Sequence, residues 1–183
     1  MAELRVIDYQ PTWPAQYAQV EAELRAALSP LDAALEHIGS TAVPGLCAKP
    51  VIDVALGVDA LDGVAMRIAA LAAIGFVYRP EYESVIPERR YFVRAAGGTP
   101  RVHLHALVRA GALWRQHLLF RDALRRDPAL MQSYASLKQH LAVRYASEKA
   151  AYTEAKGPFI EKVLAAAGTG IDPLRELHGG NRP

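Results

Sequence analysis

The run Val51–Val58 is apolar almost throughout, with a single acid, Asp53, inside it. A strand wet on one face alternates polar and apolar residues, whereas a run without alternation suggests burial on both faces. Asp53 is then a costly residue. A carboxylate removed from water needs hydrogen bonds, a cation or a metal to offset its lost hydration. Upstream, residues 34–38 read as a short strand, Gly39-Ser40 as a turn, and residues 41–50 as a bend rich in small residues and proline. Gly39 lets a backbone approach a ligand closely, and Ser40 offers a hydroxyl and an N–H. A phosphate-sized anion at the turn and a metal at the acid would satisfy both features.

The rest of the chain supplies a sheet and its cover. Trp13, Tyr17, Val20, Leu24 and Leu28 recur at helical spacing, with Thr12 as a cap, Pro14 in the first turn and Ser29-Pro30 as the stop. A second helical stripe runs through Leu61, Val64, Ile68 and Leu71 to a stop at Gly75. Residues 76–79 predict a short strand and residues 80–88 a loop. Residues 91–95 and 101–108 predict a hairpin joined by Gly97-Gly98-Thr99-Pro100. Three helical stripes follow Gly111: Leu113 to Leu124, Tyr134 to Tyr145, and Tyr152 to Val163, the last kinked or restarted at Gly157-Pro158. Strands in the middle and helices at the end argue for α+β with a mixed sheet.

Composition sets the bounds. A chain of 183 residues, 51% hydrophobic, is enough for one buried domain, read as residues 1–167, followed by a flexible tail, 168–183, rich in Gly, Pro and charge. A formal net charge of +2 is too small to imply a nucleic-acid surface by itself. The single cysteine, Cys47, excludes an internal disulfide and fits a cytoplasmic protein; in its tight loop it reads as a small packed residue rather than a nucleophile. No signal peptide or membrane span is expected, and the chain is expected to work as a monomer or homodimer.

His103 and His105 are the second chemical signal. On a strand they share one face with Arg101, opposite Val102, Leu104, Ala106 and Val108. A His-x-His pair is ordinarily just a wetted strand face. Beside Asp53, the two imidazoles instead form a ligand set for Zn, Mn or Fe, and a less natural one for Mg. His37, beside the turn, is a candidate ligand that reads better as a packed histidine, and His117, His140 and His178 read as ordinary helix or tail residues. Lys49, Arg90 and Arg101 offer positive charge for a phosphate. Arg121 and Lys156 sit beside or on apolar helix stripes, where a cation either reaches solvent or faces a polar cavity. Glu81, Glu83 and Glu88 are further carboxylates in the loop after residue 80.

The segment His-Ile-Gly-Ser-Thr-Ala-Val-Pro-Gly-Leu-x-Ala-Lys-Pro-x-Ile-Asp, residues 37–53, resembles the signature of the GrpB family, also called UPF0157. The likeness extends from Tyr9-Gln10-Pro11-Thr12-Trp13 through Arg89-Arg90-Tyr91-Phe92, His103-Leu104-His105 and Phe120-Arg121-Asp122 to Lys156 and Phe159-Ile160. The resemblance implies a nucleotidyltransferase-like fold: a mixed sheet flanked by helices, with a C-terminal helical segment. It implies a triphosphate at Gly39-Ser40 and a divalent metal, Mg or Mn with Zn as an alternative, at Asp53, His105 and His103. It also draws Arg121 and Lys156 toward the site. Active nucleotidyltransferases pair the first acid with a second two residues on, and here that position is Ala55, a gap the family shares. Three functions follow as expectations: metal-dependent nucleotidyl transfer with Asp53 and His105 as catalytic groups, nucleotide binding without turnover in an accessory domain, or metal-dependent hydrolysis of a phosphorylated small molecule.

Overall fold

Strand pairing puts Asp53 beside the histidines. The computed structural model describes residues 5–95, 97 and 101–167. Its five strands are β1 (Ala34–Ile38), β2 (Val51–Val58), β3 (Val77–Tyr78), β4 (Arg89–Arg94) and β5 (Arg101–Val108). They form one mixed sheet in the order β1-β2-β5-β4-β3. Strands β2 and β5 are parallel, with Asp53 opposite His103 and Ala55 opposite His105. The other pairings are antiparallel, including β1 against β2 with Ile38 opposite Asp53.

Among the described residues, seven α-helices flank the sheet: α1 (Trp13–Leu28), α2 (Asp62–Ala65), α3 (Ile68–Ala73), α4 (Ala112–Arg126), α5 (Pro128–Arg144), α6 (Lys149–Glu154) and α7 (Gly157–Ala166). The even positions of β2 and Val102, Leu104 and Ala106 of β5, with Phe92, form the main core against Trp13, Val20, Leu24 and Leu28 of α1 and Leu71 of α3, while Val108 at the end of β5 is exposed. Odd positions look the other way. There Ala55 and Leu107 pack with Ile38 on Trp114 of α4. A third cluster joins Val43, Leu46 and Cys47 of the bend to Leu124, Tyr134 and Ala135. The fold is therefore α+β, a mixed sheet flanked by helices, with the helix-rich half over the odd face.

Several local expectations are corrected. Thr12 makes no side-chain cap, because its φ of −79° and ψ of −19° are already helical, and a cap needs an extended residue. The 61–71 stripe divides into α2 and α3, and the Arg67 N–H bonds the Val64 carbonyl across the break. Strand β4 begins at Arg89, because that residue pairs with Leu107 of β5. Another local expectation holds: the last helix does restart at Gly157. Asp127 both ends α4 and caps α5, its carboxylate accepting from the Ala129 and Leu130 N–H groups at 2.9 and 3.0 Å. The 98–100 part of the hairpin turn, the tail 168–183 and His178 lie outside the described residues. Among those described, no helix is long and apolar enough to cross a membrane.

Candidate functional site

Asp53 points from the odd face of β2, and its side chain keeps 26% of its exposure, open to a cavity. Gly39 lies against it. Gly39 has φ +70° and ψ −173°, and a Cβ there would stand 2.4 Å from Asp53 Oδ2. The space that this glycine clears is occupied first by the Asp53 carboxylate, a use the sequence did not reveal. Both Gly39 and Ser40 line the cavity. The bend behind them is held by two cations. Arg125 donates twice to the Ala42 carbonyl, at 2.9 and 2.8 Å, and Lys138 donates to the Cys47 carbonyl. Lys138 is 2% exposed, and burial pushes its pKa down to about 7. Neither role was visible in the helix stripes, because a cation reaching for a distant carbonyl leaves no periodic trace.

His103 Nδ1 lies 3.3 Å and His105 Nε2 3.8 Å from Asp53 Oδ1. The three groups can bring one ligand atom each to within 4.8 Å of one another, the one such grouping among the described residues. Burial drives the Asp53 pKa upward, but the two imidazoles beside its carboxylate prevail and hold it well below the usual carboxylate range. His105 moves down to about 4, chiefly through burial and despite the neighbouring Asp53 carboxylate. The far nitrogens face arginines: Arg101 Nε donates to His103 Nε2 at 3.1 Å, and Arg89 Nη1 approaches His105 Nδ1 at 3.3 Å. Arg89 is 3% exposed, with its guanidinium 4.8 Å from the Tyr91 ring centroid.

The cavity holds about 360 Å³. Its floor is the odd face of β2, β4 and β5, and its roof is α4, α6 and α7. Six cations line it, Lys49, Arg89, Arg101, Arg121, Lys149 and Lys156, against one carboxylate, Asp53. Lys49 and Lys156 both lean on the Tyr152 ring, with Nζ 4.2 and 4.7 Å from its centroid. Burial, then repulsion from Lys156, lowers Lys49 to about 7, and burial lowers Lys156 to about 8. Arg121 is already neutralised, by Glu36 and Asp122 at 2.7 Å each. Gln116 is 2% exposed, lines the cavity, and neither of its amide atoms has a hydrogen-bond partner. Phe120, Tyr134 and Ile160 form an apolar wall.

Three expectations change here. Arg90 is on the other face of β4 from Arg89 and Tyr91, and pairs with Glu83 at 3.3 Å; the strand's period of two gives the cavity to Arg89 instead. Glu81 pairs with Arg79, Glu83 also accepts from the Tyr78 hydroxyl, and neither acid nor Glu88 lines the cavity. His117, read as an ordinary helix residue, lines the cavity with its ring 5.5 Å from that of His105. His37 is packed as expected, stacked on Tyr17 at 4.6 Å and bonded to Thr41 Oγ1 at 3.0 Å. Cys47 is buried, its Sγ 3.8 Å from the Ala135 carbonyl oxygen.

A pair of metal ions, as nucleotidyl transfer employs, needs a second carboxylate near Asp53. The residues present do not fit that arrangement. Ala55 is fully buried beneath Trp114 and Leu107. Even Gly57, two residues on, has Trp114 so close that a Cβ would stand 2.6 Å from its ring. The position of the second acid is sealed by apolar packing.

Comparison with known proteins adds the following. The family model described as GrpB protein matches residues 3–166. A UPF0157 protein of Pseudomonas aeruginosa is 34% identical over 169 residues, 90% of this chain and 67% of that protein. The crystal structure of conserved protein GrpB from Enterococcus faecalis aligns with a TM-score of 0.80 at 32% identity, covering 89% of this chain and 96% of that one. A dephospho-CoA kinase of Mycolicibacterium paratuberculosis is 27% identical over 189 residues, 91% of this chain but 46% of the kinase.

Proposed function

The chain belongs to the GrpB family, and from that premise we propose that its cavity binds a phosphorylated small molecule, nucleotides included, without nucleotidyl transfer. The observation that carries this reading is the excess of positive charge in a partly enclosed cavity, five cations besides the already neutralised Arg121 against one carboxylate. Holding Lys49, Lys149 and Lys156 near one another costs free energy that an incoming anion removes, because it raises each lysine's preference for the charged form. Arg101 offers a guanidinium suited to a phosphate, and Ser40 a hydroxyl at the turn. The organic part of the ligand lies against Phe120, Tyr134 and Ile160. Gln116 meets its polar edge, since a buried amide without partners is costly unless something bonds it. A volume of about 360 Å³ is within the range of small-ligand sites.

Two further observations favour binding over turnover. The sealed position at Ala55 removes the second carboxylate on which two-metal transfer or hydrolysis depends. The match to under half of a dephospho-CoA kinase fits a module that accompanies another activity. Metal-dependent transfer and hydrolysis therefore remain the weaker readings.

A thermal-shift panel tests the proposal. Phosphate, pyrophosphate and nucleoside mono-, di- and triphosphates are expected to stabilise the protein, and the matching nucleosides are not. Lys156→Met and Lys49→Met should each weaken binding by about tenfold or more, the loss of one charge-assisted bond. Equal shifts with nucleosides, or unchanged affinity in both variants, would contradict it.

A further inference from the structure

The nitrogens of His103 and His105 that face away from Asp53 are both met by guanidinium groups, at 3.1 and 3.3 Å. A guanidinium has donors only, so each of those nitrogens is a lone-pair acceptor. A neutral imidazole carries one N–H. It must therefore sit on the other nitrogen, His103 Nδ1 and His105 Nε2, and these are the two that approach Asp53 Oδ1. Both histidines then donate toward the carboxylate.

A metal-bound histidine is wired the opposite way. Its lone pair faces the ion, and its far N–H donates to a carboxylate or carbonyl. For a metal to sit among Asp53, His103 and His105, each imidazole must either lose its last proton or turn an N–H against a guanidinium. Arg89 cannot step aside cheaply, because it is buried against Tyr91. The excess of cations around the cavity also opposes a divalent ion that arrives without an anion.

We infer that Arg89 and Arg101 lock His103 and His105 as N–H donors to Asp53, so that this cluster excludes a resident divalent metal despite having a metal-like set of ligand atoms. The cluster is a carboxylate with the His103 N–H at 3.3 Å and the His105 N–H directed at it from 3.8 Å, and a cation enters only as the companion of a bound polyphosphate. Neither readout below involves an anion, so the inference stands or falls apart from the ligand proposed above.

Long-range ¹H–¹⁵N correlation spectra of the full chain report each tautomer directly, with assignments from His103→Gln and His105→Gln. The expected result is Nδ1–H for His103 and Nε2–H for His105. Calorimetric titration of metal-stripped protein with zinc chloride and manganese chloride gives the second readout. Arg101 lies at the exposed start of β5, so Arg101→Met should fold. It is expected to bind zinc about ten- to a hundredfold more tightly than the unaltered protein, the scale on which partners of a ligating histidine act. Adding His103→Ala should abolish that gain. Opposite tautomers would overturn the inference. So would one equivalent of zinc bound by the unaltered protein as tightly as by Arg101→Met and lost on His103→Ala.

Discussion

Gly39 sits in a backbone region, φ +70° and ψ −173°, that is essentially reserved for glycine. Two separate costs therefore meet in Gly39→Ala: strain in that region, about 1–3 kcal/mol, and a Cβ pressed on the Asp53 carboxylate. Chemical denaturation should show a loss of at least about 2 kcal/mol. In a double-mutant cycle, Asp53→Ala should recover the clash but not the strain, giving a coupling of about 1 kcal/mol or more. A purely additive cycle would show that the two residues do not press on each other. The need for glycine was legible in the sequence, but its reason was not, because that depends on β1 placing Ile38 opposite Asp53. Acid stability belongs to this scale too. His37 and His105 have folded values near 4, lowered first by burial from 6.5, so the unfolded chain takes up protons before the folded one. Stability should fall as pH drops from 6.5 toward 4. His37→Phe, which keeps a ring against Tyr17, should flatten that slope by roughly half in melts across the range. An unchanged slope would assign the loss to other groups.

Strand β2 serves two surfaces with one apolar run. Its even positions fill the main core, while the odd ones pass from Asp53 in the cavity to Ala55 and Gly57 under Trp114. The strand's limits were legible because an uninterrupted run has few other readings, and the shared face of Arg101, His103 and His105 followed from period two. The choice between Arg89 and Arg90 was not legible, since it turns on where pairing with β5 begins. Nor was the roof: His117 and Gln116 take their meaning from how α4 lies across the sheet. Introducing the second acid tests the sealed position. Ala55→Asp should destabilise the protein by about 3 kcal/mol or more, because a charge would be buried beneath an indole with no partner. Unfolding in urea reads this loss. A variant of normal stability that gains metal-dependent nucleotidyl transfer would contradict the apolar seal.

At the scale of the whole molecule, the cavity gathers basic groups from the bend, the sheet, α4, α6 and the start of α7, which are far apart in sequence. Its cationic character could not be read from a net charge of +2, because paired surface charges cancel in the sum while the cavity keeps its excess. The lysines predict how it responds to pH. Lys49 and Lys156 have folded values near 7 and 8, below the ordinary 10.5, so the free protein should gain stability as pH rises through that interval. Anion affinity should move the other way, since the ligand prefers charged lysines. A phosphate group loses its last proton near pH 6, so its own charge is nearly constant above pH 7. The most direct measurement is calorimetric titration with a nucleoside triphosphate at pH 7 and pH 9, in buffers of different ionisation enthalpy. Binding at pH 7 is expected with net proton uptake, about tenfold or more weaker at pH 9, and with a smaller uptake in Lys49→Met, the group half protonated at pH 7. Affinity independent of pH, with no proton uptake and no effect of Lys49→Met, would contradict an anion site built on these lysines.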